Sequence, residues 1–181
     1  GNVVPAGGDP RLFTLGHRNP QGVAFRDRGD DRGRPYLCEH GPGVWDEVTP
    51  LTNGSNGGWD PRPNAVTGRC PDNTTLTYCG YSGTDMTDLV LYPSAMRPLW
   101  RSEPISQGLS GCGFVSDARW RDWDGALAVA LLSGRRLEVL RLSASGALVE
   151  SVRVLDTLAE RLRHVETGPD GALWVLTDDR T

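Results

Sequence analysis

Lysine is missing altogether: all 19 Lys and Arg positions of this 181-residue chain are arginine. That excludes Schiff-base chemistry and ammonium contacts, and leaves planar guanidinium forks as the only long cationic side chains. Long apolar stretches are missing too. The longest, Ala126–Leu132, is far below the ~20 residues a membrane-crossing helix needs. The chain opens Gly1-Asn2-Val3-Val4-Pro5, without the basic start and apolar core of a signal peptide. Positive charge is not in excess. A net charge of −4 gives no electrostatic footprint for nucleic acid. Paired C-x2-C zinc ligands are absent among Cys38, Cys70, Cys79 and Cys112. Helical periodicity is almost absent as well.

What is present is punctuation. With 23 Gly, 13 Pro and 6 Trp, short apolar runs alternate with Gly/Pro/Asp turns, the all-β pattern. The predicted strands are Gly22–Phe25, Pro35–Glu39, Asp88–Tyr92, Gly113–Val115, Ala126–Leu132, Arg136–Leu142, Leu148–Leu155, Leu162–Thr167 and Leu173–Thr177, with one helical turn over Asp156–Glu160. Residues 49–83, rich in Asn, Gly, Pro and Thr, read as a long loop or insertion. Within it Cys70 and Cys79 bracket a polar segment short enough for a disulfide to close, which points to an oxidising compartment, periplasmic or extracellular. Cys38 and Cys112 fit two readings, buried small hydrophobes or a second disulfide. Sequons at Asn53 and Asn73 permit glycosylation without arguing for it.

One segment echoes another. Trp123-Asp124-Gly125-Ala126-Leu127-Ala128-Val129 resembles Pro169-Asp170-Gly171-Ala172-Leu173-Trp174-Val175, and Gly33–Cys38 carries a related pattern. A turn plus apolar strand recurring at roughly 40–50 residues marks the four-stranded blade of a β-propeller. On that period the chain holds about three to four blades, so residues 1–181 are expected to be part of a longer propeller, a single-domain fragment. Tryptophans 59, 100, 120, 123 and 174 are expected in blade cores or between blades.

Chemistry concentrates in two turns. Gly16-His17-Arg18-Asn19-Pro20-Gln21-Gly22 and Glu39-His40-Gly41-Pro42 place Arg, Asn, Gln, Glu and His between Gly/Pro breaks. Such turns expose backbone amides and carbonyls that regular structure consumes. Further along stand Asp46-Glu47, Asn56-Gly57-Gly58-Trp59, Tyr92-Pro93, Ser110-Gly111, Trp120–Gly134, Arg161-Leu162-Arg163 and Gly168-Pro169-Asp170-Gly171. In this order the blocks resemble the C-terminal half of the soluble PQQ-dependent sugar dehydrogenases (glucose/sorbosone dehydrogenase and aldose sugar dehydrogenase type).

The resemblance implies a six-bladed propeller in the full protein, with pyrroloquinoline quinone (PQQ) and calcium at one end. It implies cofactor binding by Arg18, Asn19, Arg161 and Arg163, with Gln21 and His40 at pocket positions. Guanidinium forks suit a planar tricarboxylate. Arg161 and Arg163, two apart, share one face of a strand. The resemblance gives Gly41 and Pro42 as backbone carbonyl donors to calcium, a cation that takes oxygen ligands.

Three positions depart from that pattern. Ser133 stands where the resemblance places a quinone-contacting Lys, with Arg135 the nearest cation. Trp45 stands where Gly is more usual, and His164 where Asp is. Asp46 and Glu47 read either as part of the block or as a turn cap. A general-base His is expected upstream of this chain, so no catalytic residue is assigned within it and the fragment by itself is expected to be inactive. The resemblance thus implies part of a quinoprotein oxidising an aldose sugar or small alcohol by hydride transfer. The alternative is a non-catalytic extracellular propeller of the same family that binds a partner. The expected partners are the sugar and the rest of the propeller.

Overall fold

The computed structural model describes residues 8–63, 67–70, 75, 79 and 85–178; the Asn73 sequon lies outside them. Among the described residues ten strands form three antiparallel sheets, two four-stranded meanders and one two-stranded pair. The first sheet holds β1 (Pro20–Phe25), β2 (Pro35–Glu39), β3 (Glu47–Pro50) and β4 (Trp100–Arg101). The second holds β5 (Leu109–Phe114), β6 (Leu127–Leu131), β7 (Arg136–Leu142) and β8 (Leu148–Val154). β9 (Leu162–Thr167) and β10 (Leu173–Thr177) pair as the third. This repeated up-and-down order is that of propeller blades. The echoed turn-plus-strand segments fall at the second strand of each sheet, β2, β6 and β10.

The inner strands of the middle sheet, β5 and β6, are buried on both faces, which explains the continuous apolar run of β6, while β8 is largely exposed. Leu127, Val129 and Leu131 face Tyr36, Cys38 and Val48 of the first sheet. Ala128 and Ala130 face Leu162 and Val165 of the third. Alternation of large and small residues therefore sets the two inter-sheet gaps, since successive side chains point to opposite faces.

Inner strands approach so closely that they use glycine. A Cβ on Gly111 would lie 2.0 Å from His164 Nδ1 and 2.9 Å from His164 Cα; one on Gly22 would lie 3.0 Å from Cys112 N. Gly111→Ala is therefore expected to cost about 2 kcal/mol by forcing β5 from β9, measured by chemical denaturation. The same crowding fixes direction. Ser110 Oγ sits 2.8 Å from Leu162 O, Ser116 N donates to Thr167 Oγ1 at 3.2 Å, and Ser116 Oγ donates to Asp27 Oδ2 at 2.8 Å. Strands β1, β5 and β9 thus run the same way, and their N-terminal ends gather at one end of the molecule.

Cys38 on β2 and Cys112 on β5 form a disulfide, and Cys70 pairs with Cys79. The first of these settles the two readings of Cys38 and Cys112. Tyr36 lies beside it, fully buried, with its ring edge-on to Phe114 at 5.3 Å. Burial, then its hydrogen bond to Asp31, pushes its phenol up to about 12. An unfolded Tyr ionises near 10 while this one stays neutral, so stability is expected to fall as pH rises from about 10 to about 12. Tyr36→Phe should flatten that slope in melting temperature against pH.

Some expectations need correction. Asp88–Tyr92 is a turn, not a strand: Asp88 Oδ1 accepts from Val90 N at 2.9 Å and Leu91 N at 2.8 Å, and Val90 is 93% exposed. β3 takes Thr49 and Pro50 out of the long loop. β5 begins at Leu109, because Leu-Ser-Gly-Cys-Gly-Phe is poor in strand formers yet Gly111 and Gly113 pack where no larger side chain fits. The Asp156–Glu160 turn is a 3-10 turn over Asp156–Leu158. Trp174 is 64% exposed on β10, an edge strand among the described residues, rather than in a core.

Candidate functional site

The Gly16–Asn19 turn enters β1 and is held by one carboxylate. Glu39, buried at the end of β2, accepts through Oε1 from Arg18 N and from Asn19 N at 2.8 Å. Its Oε2 lies 3.2 Å from His17 Nδ1, whose Nε2 is 2.9 Å from Thr14 Oγ1. His17 is thus a structural bridge. A buried carboxylate needs such partners to offset its desolvation. The Asn56–Trp59 block packs beneath, Gly57 N donating to Leu15 O at 2.8 Å and Trp59 N to Gly16 O at 2.9 Å.

With the backbone fixed, the Arg18 side chain crosses to the second turn. Its Nη1 donates to His40 O at 2.8 Å and Gly41 O at 3.0 Å, and its guanidinium carbon lies 5.9 Å from the Trp59 ring centroid. His40 N donates to Asn19 O at 3.1 Å. Gln21 Nε2 donates to Asn19 Oδ1 at 2.7 Å and so orients that amide. The structure therefore brings Arg18, Asn19, Gln21, His40, Gly41 and Pro42 together. Trp59 belongs to this group and not to a blade core.

Behind the second turn sits Asp46, fully buried. Oδ1 accepts from Gly41 N at 2.9 Å and Ser106 Oγ at 2.7 Å, and lies 2.9 Å from His40 Nδ1. Oδ2 accepts from Gln107 N at 2.7 Å and Leu109 N at 3.0 Å. Burial pushes its pKa up, but the bonds from His40, Ser106, Gly41 and Leu109 outweigh burial and hold it below the ordinary carboxylate value. Asp46 is thus the rivet between the Gly41–Pro42 turn and the entry to β5. Next to it, burial raises Glu47, opposed by hydrogen bonds from Thr87 and Arg101.

Trp45 adopts φ 37°, in the left-handed region that favours glycine. Its ring lies 5.5 Å under the Arg101 guanidinium.

At the start of β9, Arg161 and Arg163 share a face as their spacing predicts. Both reach one carboxylate: Asp178 Oδ2 is 3.2 Å from Arg161 Nη2 and 2.9 Å from Arg163 Nη2. Ser133 lies in the β6–β7 turn against Gly108, and Arg135 Nη1 donates to Ala159 O at 2.9 Å, two residues before Arg161. His164 is half-exposed, its ring against Gly111 of β5 and 3.6 Å from Glu166. Arg18 and Asn19 precede β1 and Arg161 precedes β9, so the common strand direction puts both groups at the same end. Sequence reading missed Asp178 and the roles of Glu39 and Asp46. Glu39 and Asp46 stand within the motif blocks, which was their only signal; Asp178, just past β10, had none.

The model of the glucose/sorbosone dehydrogenase family matches residues 2–181. The chain belongs to that family. The aldose sugar dehydrogenase YliI of Escherichia coli (strain K12) is 30% identical over 180 residues, covering 98% of this chain and 43% of that protein. A solved glucose dehydrogenase is 31% identical at a TM-score of 0.71, covering 97% of this chain and 46% of its own. The PQQ-bound aldose sugar dehydrogenase of Streptomyces coelicolor is 25% identical at a TM-score of 0.61, covering 97% and 42%. The chain spans less than half the length of each. The family carries an oxidoreductase role, sugar dehydrogenation, on the propeller fold described above.

Proposed function

We propose that this chain is part of a quinoprotein that oxidises an aldose sugar or related alcohol, with PQQ and calcium at the end where Arg18 and Arg161 lie. The observation that carries the reading is the Arg161–Arg163 pair closing on one carboxylate, in a chain whose family includes a PQQ-bound member. The residues fit the group. Two guanidiniums on one strand face grip a carboxylate, and the Gly41–Pro42 turn offers hard oxygen donors of the kind calcium takes.

PQQ, when bound, supplies the hydride acceptor. The chain's own residues supply position and charge. Arg161 and Arg163 hold carboxylate, and Arg18 and Asn19 present a cation and an amide from a turn that Glu39 locks. Gly41 and Pro42 offer carbonyls on a turn that Asp46 locks. None of His17, His40 and His164 matches the general-base position that the resemblance implies. Two disulfides support a periplasmic or extracellular setting.

The test is titration of the full-length, cofactor-free protein with PQQ and calcium, then dye reduction with aldoses. Micromolar uptake and aldose-dependent reduction are expected, and Arg161→Ala should weaken PQQ binding roughly 100-fold. No quinone uptake would overturn the enzyme reading in favour of a binding propeller, the direction in which Ser133 points.

A further inference from the structure

The gap between the first and second sheets is apolar inside, but its outer mouth is charged. Trp100 and Arg101 of β4, with Glu103 just beyond, form one wall. Arg136 and Glu138 of β7, with Ser151 and Arg153 of β8, form the other. The groove between the walls measures about 530 Å³, within the ~300–1,000 Å³ of ligand pockets. Both walls belong to the four-stranded sheets, so this chain alone forms the groove.

Glu138 is only 5% exposed, and its two oxygens are treated differently. Oε1 accepts from Ser151 Oγ. Oε2 accepts no hydrogen bond among the described residues; Arg136 Nε stands 3.5 Å away and Arg153 Nε 3.9 Å. Arg136 Nε donates no hydrogen bond either, while its Nη1 goes to Gln107 Oε1 at 3.1 Å and Gly134 O at 3.3 Å. A buried acceptor and a buried donor thus stand side by side, a costly arrangement unless a polar group meets both. Arg153 lies across them on the solvent side, half-exposed, its Nη2 3.2 Å from the exposed Glu103. A long surface side chain so placed can swing aside.

The charges in the groove cancel. Arg101 is committed to Glu47 and Asp85, which leaves Arg136 and Arg153 against Glu103 and Glu138. An anion meets two carboxylates and a cation meets two guanidiniums, so neither is favoured. A hydroxyl both donates and accepts, so it can give its proton to Glu138 Oε2 while accepting from Arg136 Nε. A ring bearing several hydroxyls also has C–H faces, which suit the aromatic body of Trp100. We infer that this groove is a non-catalytic binding site for a neutral saccharide, anchored by Glu138 and Arg136 and walled by Trp100. It goes beyond the quinone-site reading and stands independently of it. Gln107 links the two places: its side chain accepts from Arg136, and its backbone N donates to Asp46 Oδ2 at 2.7 Å. The groove therefore lies beside the Asp46 rivet, at the end of the molecule that carries the motif turns.

The experiment is calorimetric titration of full-length, cofactor-free protein with maltotriose, for wild type and Glu138→Gln, with PQQ uptake measured on each. Expected are millimolar or tighter binding by wild type and roughly tenfold weaker binding by Glu138→Gln, at unchanged PQQ uptake. Crystals of the wild type soaked in maltotriose keep the test open should the variant misfold. A sugar ring against Trp100, with a hydroxyl on Glu138 Oε2, is expected there. No binding to wild type up to roughly 50 mM, equal affinity in the two proteins, or sugar seen only beside Arg18 would each overturn the groove proposal. Glu138-dependent maltotriose binding by a protein that takes up no PQQ would overturn the quinone reading and leave the groove standing.

Discussion

Asp46→Ala is expected to destabilise the intact protein by about 4 kcal/mol and to cripple the Gly41–Pro42 turn. The substitution strips the acceptor from three backbone amides (Gly41, Gln107 and Leu109) and from the Ser106 hydroxyl. Each buried donor left without a partner costs ~1–3 kcal/mol, and partial rehydration brings the sum down. The two sides of the rivet then move apart, so cofactor uptake should fall with stability. Asp46→Asn keeps one carbonyl oxygen and should lose about half as much. Its pH signature has a definite sign. The folded pKa lies below the unfolded one, so the stabilisation is present above about pH 4 and is lost as pH falls further. Denaturant melts of wild type and both variants from pH 3 to 7 check this; an unchanged stability for Asp46→Ala would show that the network carries no weight.

Breaking the Cys38–Cys112 bridge should cost a comparable amount, about 4 kcal/mol. The two residues are 74 apart in sequence, and in the chain-entropy view a closed loop of that length removes about that much from the unfolded state. The bridge joins β2 directly behind Glu39 to β5 directly behind Gly111. Its loss therefore frees the first sheet from the second where the site is built. A Cys38→Ser/Cys112→Ser variant should melt roughly 10 °C lower, with the Cys70–Cys79 bridge intact. Cys38 is fully buried and Cys112 nearly so, so gentle reductant should leave the folded protein unchanged and act only once it is denatured. A loss below about 1 kcal/mol would return these residues to the role of small buried hydrophobes.

Much of the fold was legible in local pattern, and the exceptions are informative. Arg136–Leu142, Leu162–Thr167 and Leu173–Thr177 emerge as strands with the bounds expected, because apolar and β-branched residues alternate between clear turns. β3 was not legible. Glu-Val-Thr-Pro looks like loop, and it becomes strand because its backbone pairs with β2 from Glu39↔Glu47 to Tyr36↔Pro50, while its buried Glu47 finds Thr87 and Arg101, both distant in sequence. The reverse error, Asp88–Tyr92, follows from apolar composition without a pairing partner. Local propensity could not see that Asp88 caps a turn there.

The site divides the same way. Sequence by itself determined the chemistry available: guanidinium and no ammonium, an i, i+2 arginine pair, and carbonyls in a Gly-Pro turn. It also determined the family and hence the propeller, since those motifs recur in order. Only tertiary structure decided what each group does in place. Alignment of β1, β5 and β9 brings Arg18 and Arg161 to one end, through close approaches that glycine permits. Packing gives Glu39 and Asp46 their donors, Asp178 to the arginine pair, and Arg18 to the Gly41 carbonyl. The physical reason is that composition fixes which charges exist, whereas desolvation and directional hydrogen bonding act between residues far apart in sequence and depend on where the fold sets them down.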